Sequence, residues 1–152
     1  RRRQPPANDY DVPWCGFAGD SPPPLYLEIW KTVCDARDAA VELVRKRIEA
    51  GEPCLGCEVD QAAREVVERA GHGPAFLHRT GHSFGVTDHE GPFLAEGYER
   101  EVRHGMVFSI EPGIYLPGLG GFRFSDTVLV TENGSRTLTS APDTLAELTI
   151  GD

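Results

Sequence analysis

Three of the chain's five histidines, His78, His82 and His89, stand in one compact block that opens His78-Arg79-Thr80-Gly81-His82-Ser83-Phe84-Gly85. Phe76 to Thr80 reads as a strand. If the extended backbone carries on through this block, His78, Thr80 and His82 share one face, because side chains on a strand alternate with period two. Glu111 follows within Ser109-Ile110-Glu111-Pro112-Gly113-Ile114-Tyr115, and a carboxylate in so apolar a strand requires a partner once it leaves water. Imidazole and carboxylate converging from neighbouring strands would make a site for a first-row transition metal. Each residue taken singly also fits a plainer role, with His78 and His82 as hydrogen-bonded core imidazoles and Glu111 as half of a buried ion pair.

The cysteines do not complete such a site. Cys54-Leu55-Gly56-Cys57 has the spacing of a zinc or redox motif, but a structural zinc needs about four ligands and no second CxxC or CxxH follows. The pair therefore reads as a turn between two helices. No secretory signal opens the chain, so Cys15, Cys34, Cys54 and Cys57 are expected as reduced thiols in a cytoplasmic protein.

The elements that must position these residues can be read from periodicity. Residues 1–24 are rich in Pro, Gly and Arg, with only Tyr10 to Ala18 suited to a short strand. Ser21 and the prolines after it read as a helix entrance. From Leu25 to Ala50, apolar residues at 29, 33, 36, 40, 44 and 48 predict a long amphipathic helix. Gly51 and Pro53 end it. A second helix is predicted from about Glu58 to Ala70, with Val59, Ala63, Val66 and Ala70 inward and Gly71 as the stop. Strands are predicted at Phe76 to Thr80, Met106 to Tyr115 and Phe122 to Val130. Glu132-Asn133-Gly134 then reads as a hairpin turn into Arg136 to Thr139. The order of two helices, then antiparallel strands, predicts an α+β domain with helices on one face of a sheet.

Bulk properties exclude several classes. The 152 residues suffice for one domain, and 39% hydrophobic with 26% charged residues is the composition of a water-soluble fold. A formal charge of −9 repels phosphate backbones and argues against nucleic acid. No apolar run approaches the roughly 20 residues needed to cross a membrane. The chain begins at Arg1 without an initiator methionine, so its native start is expected to have been cut away.

The histidine block, Asp88-His89-Glu90, Glu111-Pro112-Gly113-Ile114-Tyr115, Gly121-Phe122-Arg123 and Asp126-Thr127-Val128-Leu129-Val130-Thr131-Glu132 together resemble the signature blocks of the pita-bread metallopeptidases. The likeness is closest to the branch of Xaa-Pro dipeptidase (prolidase) and Xaa-Pro aminopeptidase and runs from about Asp11 to Thr139. It implies a pita-bread fold, two helices packed on a curved antiparallel sheet, with the N-terminal part missing. Residues 1–152 would then be a partial catalytic domain with an irregular opening segment (1–24) and a C-terminal tail (140–152). Such enzymes cleave Xaa-Pro dipeptides or N-terminal Xaa-Pro bonds with two divalent cations (Mn, Co or Zn), which activate a water and polarise the scissile carbonyl. Carried over by position, the resemblance implies Asp11, His82 and Glu111 as metal ligands, Glu111 also moving protons. His78 and His89 correspond to histidines that bind substrate and stabilise the intermediate, and Arg123 to an arginine beside the site. A homodimer is the partner expectation.

Two departures from the pattern matter. The family's first aspartate ligand would lie upstream of Asp11, and the second glutamate ligand would stand where this chain has Ser125. Asp126 is no substitute, because neighbours on a strand point to opposite faces. Asp11 and Glu111 supply two negative charges, enough for one dication, with Asp9 as a candidate third. The expectation is therefore one weakly bound metal or none. The alternative is a metal-free binding module that grips peptides or proteins through the surviving histidines and Arg123.

Overall fold

The structure is a computed structural model that describes residues 12–87, 89–139, 142 and 144–151. The long apolar stripe folds as helix α1 (Pro24–Glu49), burying Ile29, Val33, Ala36, Ala40 and Val44. Pro24 at the first turn has no N–H for the helix to leave unsatisfied. Helix α2 (Gly56–Arg69) starts where the Glu58 carboxylate accepts the Leu55 N–H at 2.9 Å, and it buries Val59, Ala63 and Val67. Val67 is fully buried, and the predicted Val66 is half-buried against the core. Both helices stop two residues before a glycine with positive φ, Gly51 at 66° and Gly71 at 84°, a conformation that costs a residue with a Cβ.

The strands are β1 (Phe17–Ala18), β2 (Gly81–Phe84), β3 (Glu90–Leu94), β4 (Val107–Ile110), β5 (Gly113–Leu116), β6 (Gly120–Arg123), β7 (Asp126–Thr131), β8 (Gly134–Thr137) and β9 (Thr149–Ile150). Among the described residues they form an antiparallel sheet in the order β3-β2-β4-β7-β8, a β5-β6 hairpin and a parallel β1-β9 pair. Helix α1 lies against β7 and β8, and α2 against α1 and β3. Phe124, 1% exposed, sits at the junction, with Trp14 and Trp30 against its ring and the Arg37 guanidinium over it. Within the expected tail, Leu145–Leu148 forms a 3-10 turn whose Leu145 joins the core.

The strand prediction needs three corrections. Phe76 to Thr80 is not a strand: a 3-10 turn at Gly73–Ala75 leads into irregular chain, and the strand begins at Gly81. Met106 to Tyr115 is two strands, because Pro112 has no N–H to continue the ladder. Phe122 to Val130 is also two, the Ser125 N–H leaving the sheet to donate to Pro13 O at 2.9 Å. The β3 strand was not anticipated; it contains Pro92, which is tolerated at a sheet edge.

All four cysteines are free, and Cys54 and Cys57 straddle the start of α2. Burial pushes the Cys34 thiol up to about 12 and the Cys54 thiol up to about 11. A raised value keeps the thiol protonated and unreactive. Alkylation of the folded chain at pH 8 should therefore label Cys15 and Cys57 first, with Cys34 and Cys54 modified only on unfolding. Peptide mapping that finds Cys54 labelled as fast as Cys57 would contradict this packing.

Candidate metal and peptide site

His82 and Glu111 meet because β2 and β4 pair in one register. Gly81 lies opposite Ile110 and His82 opposite Ser109. A Cβ on Gly81 would come within 1.9 Å of Ser109 O, so this approach of the strands requires glycine. Glu111, one residue past β4, donates its N–H to Thr80 O at 2.7 Å. The two side chains, 0% and 6% exposed, then bring His82 Nε2 to 3.3 Å from Glu111 Oε1.

Three groups compensate the buried carboxylate. Ser109 Oγ donates to Oε1 at 3.1 Å and accepts the His82 N–H at 3.3 Å. Arg123 Nη1 stands 3.4 Å from Oε2. Burial pushes the Glu111 carboxyl up, but the His82 ring, Arg123 and Ser109 together pull it further down, leaving it below the ordinary carboxylate value. Glu111 is thus ionised at neutral pH.

The tautomer of His82 bears on metal binding. Its Nδ1 lies 3.2 Å from Ser83 O, a carbonyl that can only accept, so a neutral ring carries its proton on Nδ1. With the ring neutral, the lone pair of Nε2 faces the Glu111 carboxylate, so His82 compensates that charge only when a cation, a second ring proton or a metal, lies between them. Consistently, His82 Nε2 and Glu111 Oε2 are buried with no hydrogen bond among the described residues. A nitrogen and a carboxylate aimed at one point fit a first-row dication. They are only part of its shell: among the described residues no three His, Cys, Asp or Glu side chains group as metal ligands.

Around this pair, His78, Arg79, His89, Glu111 and Arg123 line an open cavity of about 440 Å³. His89 stacks on His82 with ring centroids 3.9 Å apart. His78 is not on the strand face expected for it. It sits in the irregular stretch before β2, its Nδ1 2.8 Å from Arg79 O and its Nε2 2.8 Å from the Tyr115 hydroxyl. Tyr115, on β5, also lies beside the Arg123 guanidinium. The expected residues His78, His82, His89, Glu111 and Arg123 are therefore brought together, while Asp11 and Asp9 lie outside the described residues. Ser125 is 0% exposed, and its carbonyl accepts from Trp14 Nε1 at 3.0 Å. Asp126 points the other way, toward Arg37 at 3.2 Å and the Thr139 hydroxyl. Ser109 and Tyr115 were not singled out from sequence, although both lie in the quoted Glu111 block.

Residues 10–132 match metallopeptidase family M24. The chain belongs to that family. It is 42% identical over 119 residues to the Xaa-Pro dipeptidase of Pyrococcus furiosus, a match covering 78% of this chain and 32% of that relative. The Xaa-Pro dipeptidase of Lactobacillus helveticus is 37% identical over 145 residues, covering 90% and 38%. The crystal structure of dipeptidase PepE from Mycobacterium ulcerans superposes with a TM-score of 0.80 at 38% identity, covering 90% of this chain and 34% of that one. The chain thus spans about a third of the length of the M24 relatives it matches. The α+β architecture is the pita-bread fold of these relatives. Among the described residues no helix is long and apolar enough to cross a membrane.

Replacing Ser109 by Ala would strip one donor from the Glu111 carboxylate and one acceptor from the His82 N–H. The expected loss of stability is about 2 kcal/mol, for a hydrogen bond taken from a buried charged group. Denaturant unfolding measures it, and a loss below about 0.5 kcal/mol would mean that the hydroxyl does not hold the pair.

Proposed function

We propose that this M24 chain is part of the catalytic domain of a peptidase acting on Xaa-Pro dipeptides or N-terminal Xaa-Pro bonds. In this reading 1–24 is an opening segment and 140–152 a tail. The observation that carries the proposal is the 3.3 Å approach of His82 Nε2 to Glu111 Oε1 at the buried floor of a cavity walled by His78, His89 and Arg123. His82 and Glu111, with Asp11, would hold a divalent cation (Mn, Co or Zn). Such a cation, when bound, polarises a carbonyl and lowers the cost of activating water.

The chain's own groups supply the rest. Glu111, ionised and held by Ser109 and Arg123, accepts a proton at Oε1. His89, exposed at the cavity mouth, and His78, oriented by Tyr115, present imidazoles to a bound peptide. The guanidinium groups of Arg79 and Arg123 give the cavity cationic walls suited to a peptide carboxylate. The free thiols fit a cytoplasmic setting.

Ser125 supports a reading in which the site is one carboxylate short and binds its metal weakly. A second reading, a metal-free peptide-binding module, is favoured by Arg123, whose guanidinium already gives Glu111 part of the countercharge that a metal would provide.

Hydrolysis of a Xaa-Pro dipeptide with added manganese or cobalt separates the two, with Ser125→Glu assayed in parallel and its fold checked by circular dichroism. The proposal expects slow, chelator-sensitive turnover that rises about tenfold or more in kcat/KM in the variant. Peptide binding that persists in chelator, with no hydrolysis by either protein, would favour the binding module.

A further inference from the structure

Asp60 is 1% exposed on α2 and is not among the residues that line the cavity. Burying a carboxylate is costly, and an apolar residue of similar size often serves stability as well or better. What Asp60 touches gives it another role. Its Oδ1 accepts both the Thr80 N–H and the Thr80 hydroxyl, each at 2.8 Å, across twenty residues of sequence. Its Oδ2 takes the Arg64 Nε–H at 2.6 Å. Arg64 in turn donates to His78 O at 2.7 Å and to Phe76 O at 3.3 Å, its guanidinium lying 4.4 Å over the Phe76 ring. The Thr80 carbonyl accepts the Glu111 N–H.

We infer that Asp60 and Arg64 form a positioning clamp, through which α2 fixes His78, His82 and Glu111 relative to one another. Two side chains one helical turn apart grip the irregular stretch at Phe76, His78 and Thr80. That stretch lacks strand pairing of its own, and Thr80 passes the constraint directly to Glu111. Gly81 then continues into β2 and sets His82. Asp60 and Arg64 are positioning residues, since neither reaches the cavity. The inference rests on the peptidase reading only for what the positioned groups do.

The test is residue-resolved amide hydrogen exchange by NMR on the full chain, without metal or substrate, in Asp60→Asn and Arg64→Lys. The clamp predicts that exchange at Thr80, His82 and Glu111 accelerates by at least about tenfold, while Val128 and Val130 on β7 keep their wild-type rates. A merely structural role would lower protection across the whole sheet together, and that uniform change, or no change, would overturn the clamp. Should Asp60→Asn fail to fold, Arg64→Lys decides, because the substituted ammonium keeps a countercharge for Asp60 but loses the fork to the two carbonyls. Because the readout needs no activity, selective acceleration in the variants together with no hydrolysis by the wild-type chain would refute the peptidase reading and leave the clamp standing.

Discussion

The burial of the Glu111 carboxylate constrains everything built around it. An ionised group at 6% exposure in an apolar sheet persists only with compensating charge and hydrogen bonds. His82, Ser109 and Arg123 supply these from β2, β4 and β6. Each of those strands must therefore keep its register, since a slip of one residue would turn the compensating group to the opposite face. Gly81 and Pro112 are the local devices: the first lets β2 close on Ser109 O, and the second ends β4 so that Glu111 turns into the cavity.

Among the described residues, the cavity is cationic around a single acid, Glu111. Arg123 and Arg79 face the cavity beside two histidines, while Asp126 is drawn to the far side by Arg37. Burial pushes the Asp126 carboxyl up, with Thr139 and Arg37 opposing that shift. Asp126 is thus committed to joining β7 to α1. Ser125, between the two faces, contributes no charge. A pair of dications would add four positive charges to a pocket whose one described acid already faces a guanidinium, a heavy electrostatic load at short range.

Much of this was legible in the sequence, and the failures have physical causes. Apolar steps of three and four residues located α1 and α2 because helical burial repeats with the helical turn. Residues 78, 82, 89, 111 and 123 lie together around one cavity. The strand assigned to Phe76–Thr80 failed because its backbone groups at Phe76, His78 and Thr80 are taken by α2, through Arg64 and Asp60, and not by a neighbouring strand. An Asp and an Arg four residues apart on a helix read as a solvated surface pair, and nothing local signals that Asp60 is buried against Thr80. The division of the two long strands was marked by Pro112 in one case. In the other it depended on Pro13, more than a hundred residues away, taking the Ser125 N–H.

The proposed reading, in which a site with Ser125 in place of an acid holds at most one weakly bound cation, turns on Glu111, the described carboxylate that already faces Arg123. Metal stoichiometry tests it most directly, by elemental mass spectrometry after incubation with manganese or cobalt and desalting. The account predicts fewer than one metal retained per chain. Two metals retained per chain would contradict it and would mean that acids beyond Glu111 make good the charge that Ser125 lacks.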